Sequence, residues 1–209
     1  MTIKAILFDM DGVLIEAKEW HYEALNKALG LFGIFISRFD HIKKFDGLST
    51  RSKLEILTLE RGLPHKLHEF INEMKQLYTM DILLTQCKRS FVHEFALLSL
   101  KSMGYKLAVC SNSVRNSVKV MMEKSGLDKY FDFMLSNNDV SSSKPDPEIY
   151  IKAMKRFDLL PEECLIIEDN KNGIEAALAS GGHLLIVKEV ADTNLENILS
   201  TVKEIESKP

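Results

Sequence analysis

Cysteine is scarce in this chain, with three in 209 residues. Cys87, Cys110 and Cys164 stand far apart, without the paired spacing of a zinc site or a disulfide framework. Cys110 and Cys164 fall in apolar, strand-like runs, which reads as buried free thiols in a reducing, cytoplasmic setting. No apolar run is long enough to span a bilayer, and the first residues enter a strand instead of a signal-peptide pattern, so no membrane partner is expected. An excess of one charge is also missing. Lys and Arg total 27 against 30 acids, a net charge of −3, which gives no electrostatic case for a nucleic-acid partner or an anionic surface. There is no internal repeat and no low-complexity stretch. What remains, 45% hydrophobic and 27% charged residues, is the composition of an ordinary globule of one α/β domain, or a core domain plus a small insert.

The chain opens on I-K-A-I-L-F-D-M-D-G-V-L, residues 3–14. Ile6, Leu7 and Phe8 have β propensity, and two acids follow at once, Asp9 and Asp11. A buried strand ending in two carboxylates is costly unless a cation or a reaction needs them. Residues 16–86 then read as helices with no convincing strand. Trp20, Ala24, Leu25 and Ala28 mark one helix, Leu54, Leu57 and Leu59 a second, and Leu67, Phe70, Ile71, Met74 and Leu77 a third. This block interrupts a βα alternation that resumes afterwards. A helix over 91–103 stops at Gly104; the strand K-L-A-V-C (106–110) ends in S-N-S; a helix over 115–125 stops at Gly126. A short strand over 131–135 leads to S-S-S-K-P-D-P (141–147), and the strand over 165–167 ends in Glu168-Asp169-Asn170. The last clear strand is 184–187, before a terminal amphipathic helix. The pattern predicts a doubly wound parallel (Rossmann-like) α/β sheet, residues 1–15 and 87–209, with an α-helical insert, 16–86.

In such a sheet the carboxyl ends of the strands meet along one edge, where ligands bind. The expected crevice would gather Asp9 and Asp11, Ser111 with Asn112, Lys144, and the pair Glu168–Asp169. The set is coherent. Carboxylates hold Mg²⁺ through hard oxygen ligands. One carboxylate can attack phosphorus. A hydroxyl, a lysine and backbone N–H groups stabilise phosphoryl oxygens. Taken singly, each motif has a plainer reading as a loop, a helix cap or a solvated lysine.

Together, D-M-D-G-V, S-N-S, K-P-D-P and E-D-N-K-N-G resemble the four ordered motifs of the haloacid dehalogenase superfamily, and the helical insert after the first resembles the cap of its β-phosphoglucomutase-like phosphatases and mutases. The resemblance covers essentially the whole chain. It implies Asp9 as the nucleophile that is phosphorylated, Asp11 as general acid/base, Ser111 and Asn112 as phosphate contacts, and Lys144 as the neutralising cation. Asp9, Asp11 (by its carbonyl), Glu168 and Asp169 are the implied Mg²⁺ ligands. Members that cleave carbon–halogen bonds lack the second Asp, so Asp11 disfavours dehalogenation.

His21 and Arg51 are the implied substrate contacts of the cap. His21 aligns with a cap-hinge histidine of the mutase-like members. Arg51 follows G-L-S-T one place later than the arginine by which the mutase grips a second phosphate, and Ala17 replaces the usual threonine near the hinge. Both departures favour a phosphatase acting on a small phosphorylated metabolite such as a sugar phosphate, as a monomer. A phosphomutase is the alternative. Phosphonoacetaldehyde hydrolase and a non-enzymatic phosphorylatable receiver domain are weaker ones, since the receiver places its acids differently and has no helical insert. His41, His65, His68 and His93 read as surface residues, and Lys43, Lys44 and Lys75 are candidate cap contacts whose plainer reading, taken singly, is a solvated face.

Overall fold

The computed structural model describes residues 2–207. The chain divides into two compact units, Met1–Glu16 with Lys88–Pro209, and Ala17–Cys87, so each boundary falls one residue later than the sequence pattern drew it. Strand β1, Ala5–Phe8, begins the first unit. The second unit then runs through α1 (Lys18–Gly30), a single turn α2 (Arg38–Asp40) continuing into a π-turn (His41–Phe45), α3 (Thr50–Arg61) and α4 (His68–Gln86). Returning to the first unit, the chain forms α5 (Phe91–Ser102), β2 (Lys106–Cys110), α6 (Arg115–Ser125), β3 (Phe133–Leu135), α7 (Glu148–Phe157), β4 (Cys164–Glu168), α8 (Lys171–Ser180), β5 (His183–Ile186) and α9 (Leu195–Ser207).

The five strands are all parallel, in the order β3-β2-β1-β4-β5. All four residues of β1 are fully buried, as expected of a central strand covered on both faces. Strand pleating sends alternate side chains to opposite faces. Ala5 and Leu7 join Ala108, Cys110, Cys164 and Ile166 under Ile149, Tyr150, Ala153 and Met154 of α7 and Ala176 and Ala177 of α8. Ile6 and Phe8 face the other way, where Phe8 meets the Phe131 ring edge-on at 5.7 Å.

The helical unit has its own core of Leu25, Ala28, Leu29, Ile36, Phe45, Leu54, Leu57, Leu63 and Ile71. Its buried stripe on α4 is Ile71, Lys75, Thr79 and Leu83, while Phe70, Leu77 and, on α3, Leu59 are exposed. Leu67, Ile71 and Met74 pack in or against this core as the apolar spacing suggests, but Phe70 and Leu77 do not, and the buried stripe includes an amine and a hydroxyl. Lys75 is therefore buried and not part of a solvated face. Thr79 completes the stripe by donating to the Lys75 carbonyl at 2.8 Å.

Two histidines also differ from the surface reading. His41 and His93 are 4% and 3% exposed. His93 lies on the inner face of α5, where its Nε2 donates to the Val190 carbonyl at 3.0 Å. His41 opens the π-turn and packs against the Tyr22 ring at 4.8 Å. Among the described residues, no helix is long and apolar enough to cross a membrane.

Candidate active site

The parity of the sheet builds the centre. Asp9 extends β1, its N–H donating to the Ile167 carbonyl at 3.0 Å, and keeps the facing of Ala5 and Leu7. Glu168 keeps the facing of Cys164 and Ile166. Both carboxylates therefore project to the side covered by α7, and both are buried. Between them lies the Lys144 ammonium, also buried. Its Nζ donates to Asp9 Oδ1 at 2.7 Å, Glu168 Oε1 at 2.6 Å and the Cys110 carbonyl at 2.7 Å, which uses all three of its protons.

Two side-chain contacts hold the lysine in place. Asn112 accepts from the Lys144 N–H at 3.0 Å and donates to its carbonyl at 3.3 Å, so the S-N-S turn is clasped to the loop that presents the lysine. The Tyr150 hydroxyl donates to Glu168 Oε1 at 2.5 Å, and the Lys144 Nζ sits 4.8 Å above the Tyr150 ring. Pro147 immediately precedes α7, and the Lys144–Pro145 peptide is cis.

Glu168 accepts further bonds at Oε2, from the Asp169 N–H and the Asn170 amide, so four donors converge on one carboxylate. Its room is supplied by Gly173 in α8: a Cβ there would lie 2.0 Å from Glu168 Cδ. Gly12, at φ 88°, turns the chain after Asp11. The Asp11 carboxylate accepts from the Ser113 hydroxyl at 2.8 Å. Ser111 is fully buried, and its hydroxyl oxygen accepts from the Ser113 N–H at 3.0 Å, which leaves its own proton to donate elsewhere.

Electrostatically the centre is short of positive charge. Oxygen atoms of Asp9, Glu168 and Asp169 lie within 4.8 Å of one another. With these three carboxylates ionised, one ammonium leaves two negative charges even before Asp11 is counted, which a divalent cation would offset, and an all-oxygen donor set suits Mg²⁺. Burial, and then the neighbouring Glu168, push the Asp9 carboxyl well above the usual carboxylate range in spite of Lys144. Burial also works against the Lys144 charge, but Asp9 and Glu168 outweigh it and hold the ammonium above the ordinary lysine value. Burial and the Glu168 charge raise the Tyr150 phenol, which stays protonated and so remains a donor.

A model of haloacid dehalogenase-like hydrolases matches residues 6–187. The chain belongs to that family. A phosphorylated carbohydrates phosphatase of Thermotoga maritima is 30% identical over 97% of this chain and 100% of its own length. A phosphoglycolate phosphatase of Aquifex aeolicus is 29% identical over 96% of each chain. The crystal structure of a β-phosphoglucomutase from Clostridium difficile superposes with a TM-score of 0.84 at 24% identity, over 99% of this chain and 100% of that one, a likeness of fold.

In this haloacid dehalogenase-like hydrolase, then, the sheet edge brings together Asp9, Asp11, Ser111, Asn112, Lys144, Glu168 and Asp169. His21 and Arg51 belong to the helical unit. The His21 Nδ1 lies 3.1 Å from Lys75 Nζ. Arg51 is exposed on the first turn of α3, whose N-cap is Ser49. Sequence reasoning missed Tyr150 and Ser113. Tyr150 had a signal: a tyrosine on the apolar face of an amphipathic helix needs a partner for its hydroxyl. Ser113 had only its place beside Ser111.

Proposed function

We propose that this hydrolase is a Mg²⁺-dependent phosphatase that cleaves a small phosphorylated metabolite, most simply a sugar phosphate, through an aspartyl-phosphate. The observation that carries the reading is the Lys144 ammonium held between Asp9 and Glu168, with Asp169 completing a group of carboxylates suited to a divalent cation. Asp9 attacks phosphorus while the bond to the leaving oxygen breaks, and Asp11 gives that oxygen a proton. Water then attacks the Asp9 phosphoryl group, Asp11 takes the proton back, and inorganic phosphate leaves. Ser111 donates to a phosphoryl oxygen, Lys144 stabilises the gathering charge, and Asn112 fixes the lysine's loop. Asp9, Asp169 and the Asp11 carbonyl would ligate Mg²⁺, with Glu168, already accepting four hydrogen bonds, setting the position of Lys144 and closing the metal site. When bound, Mg²⁺ would neutralise charge on the phosphoryl oxygens.

The names of the curated relatives support a phosphorylated small molecule as substrate. The helical unit, with His21 and Arg51, is read as the specificity cap. The exposure of Arg51 and its shifted place in the loop favour hydrolysis over transfer between two ends of a bisphosphate. A reducing cytoplasm suits the buried free thiols Cys110 and Cys164.

The test is phosphate release from a panel of sugar phosphates, with Mg²⁺ or a chelator, and with a trace of bisphosphate in a parallel series. Metal-dependent release without isomerised product is the expected outcome. Bisphosphate-dependent isomer formation would make the protein a mutase, and no product from any substrate would overturn the sugar-phosphate reading.

A further inference from the structure

We propose that the helical unit carries a second divalent-metal site, at the corner between α3 and α4, formed by Glu55, His65 and His68 and suited to a borderline ion such as Zn²⁺, Co²⁺ or Ni²⁺. Ligand atoms of these three residues lie within 4.8 Å of one another. Each oxygen of the Glu55 carboxylate faces one imidazole: His65 Nδ1 is 3.7 Å from Oε2, and His68 Nδ1 is 3.7 Å from Oε1. These separations are too long for hydrogen bonds. They are within a few tenths of the ~3.3 Å between neighbouring ligand atoms of a tetrahedral ion with bonds of about 2.0–2.1 Å.

The hydrogen bonding behind His68 fixes its tautomer. Thr58 Oγ1 lies 2.7 Å from the Leu63 carbonyl and 2.7 Å from His68 Nε2. A carbonyl only accepts, so the single hydroxyl proton of Thr58 goes to Leu63. The same oxygen must then accept from Nε2–H. A neutral His68 therefore carries its proton on Nε2 and turns a bare Nδ1 lone pair toward Glu55. Metal-bound histidines characteristically have this arrangement, with the distal N–H held by a fixed acceptor. His65 approaches from the short 3-10 turn that precedes α4, its ring centroid 4.8 Å from that of His68. Two nitrogens and one carboxylate with room for water suit zinc-like ions, whereas Mg²⁺ prefers oxygen. The corner thus differs in metal preference from the carboxylate centre of the sheet. Bound there, the ion would tie the middle of α3 to the start of α4.

The test is equilibrium dialysis of the full-length protein against Zn²⁺ in excess Mg²⁺, with metal analysis of wild type and His65→Ala. His65 is exposed, so its truncation leaves the fold intact. The expected result is one Zn²⁺ fewer per chain in His65→Ala, and binding about 10–100-fold weaker in Thr58→Val, which removes the acceptor behind His68. In the same experiment Co²⁺ should give a ligand-field absorption that both variants diminish, while phosphate release with Mg²⁺ is unchanged. Equal Zn²⁺ stoichiometry in wild type and His65→Ala, or no nitrogen-ligated Co²⁺ signal in wild type, would overturn the proposal. Because any ion bound at the carboxylate centre is common to all three proteins, the outcome is independent of the phosphatase reading.

Discussion

Gly173→Ala reverses an ordinary rule. In the interior of a helix, replacing glycine by alanine favours folding by about 1 kcal/mol. Gly173 is within α8, but an added Cβ would stand 2.0 Å from Glu168 Cδ and Oε1 and 2.1 Å from Oε2. The carboxylate has nowhere to retreat, since it is fully buried and held by Lys144, Tyr150, the Asp169 N–H and Asn170. Either α8 lifts off the sheet or Glu168 gives up Lys144. Overpacking costs about 1–3 kcal/mol, and disrupting a buried ion pair about 3–5 kcal/mol. Set against the helix-propensity gain, the net destabilisation should be about 0–2 kcal/mol if α8 lifts and about 2–4 kcal/mol if Glu168 gives up Lys144, the latter roughly 4–16 °C in melting temperature for a chain of this size. Gly30→Ala is the control: Gly30 ends α1 with nothing within 4 Å of the added methyl, so it should be neutral or slightly stabilising. Urea and thermal denaturation of the three proteins decide the matter. A Gly173→Ala protein as stable as Gly30→Ala would refute the close approach of α8 to Glu168.

Four further outcomes follow from the site and the cores. Asp9→Asn should abolish phosphate release by several orders of magnitude with its circular dichroism unchanged, and near-normal turnover would remove Asp9 as nucleophile. Lys144→Met should destabilise the sheet unit by about 3–5 kcal/mol in urea, because two buried carboxylates lose their shared cation, and Mg²⁺ should restore part of the loss. Ser113→Ala should lower kcat more than it changes KM, since the lost hydrogen bond orients Asp11 and not the substrate; a change confined to KM would contradict that role. His41 is held neutral by burial and then by Lys53, its value lowered to about 4. Its folded value lies below the unfolded one, so its contribution is complete above about pH 6.5 and is lost as the pH falls toward 4, by about 2–3 kcal/mol. An NMR titration of the ring should show a midpoint near 4; one near 6.5 would refute its burial.

Much of the sheet unit could be read in the sequence because strand parity and loop position act locally. Once β1 and β4 are placed, the one-residue alternation puts Asp9 and Glu168 on one face, and K-P-D-P before α7 puts a lysine beside them. The strand K-L-A-V-C matched the structure to the residue because both its ends are marked, by Gly104-Tyr105 and by S-N-S. The helical unit was less legible. Apolar spacing cannot see Lys75 and Thr79 as core positions, since their burial depends on partners brought together by packing. His41 and His93 were misplaced for the same reason: imidazole is compatible with either environment, and the Val190 carbonyl that holds His93 is 97 residues away. Tyr150 was overlooked because its amphipathic helix is fully explained by its apolar side, and only the fold reveals the carboxylate its hydroxyl meets.

The strand order also bears on how the chain is made. β1 is translated before both of its sheet neighbours, which arrive late. β2 begins 101 residues after β1 begins, and β4 begins 159 residues after it. At synthesis rates of about 5–20 residues per second, Ala-Ile-Leu-Phe waits roughly 5–20 s for β2 and roughly 8–32 s for β4. Meanwhile the whole helical unit, Ala17–Cys87, is made between β1 and β2. Asp9 is thus made well before the Lys144 and Glu168 that surround it in the folded protein. A nascent-chain pause or a chaperone that shields Ala5–Phe8 until β2 and β4 are made should raise the yield of active protein more than one acting later in the chain.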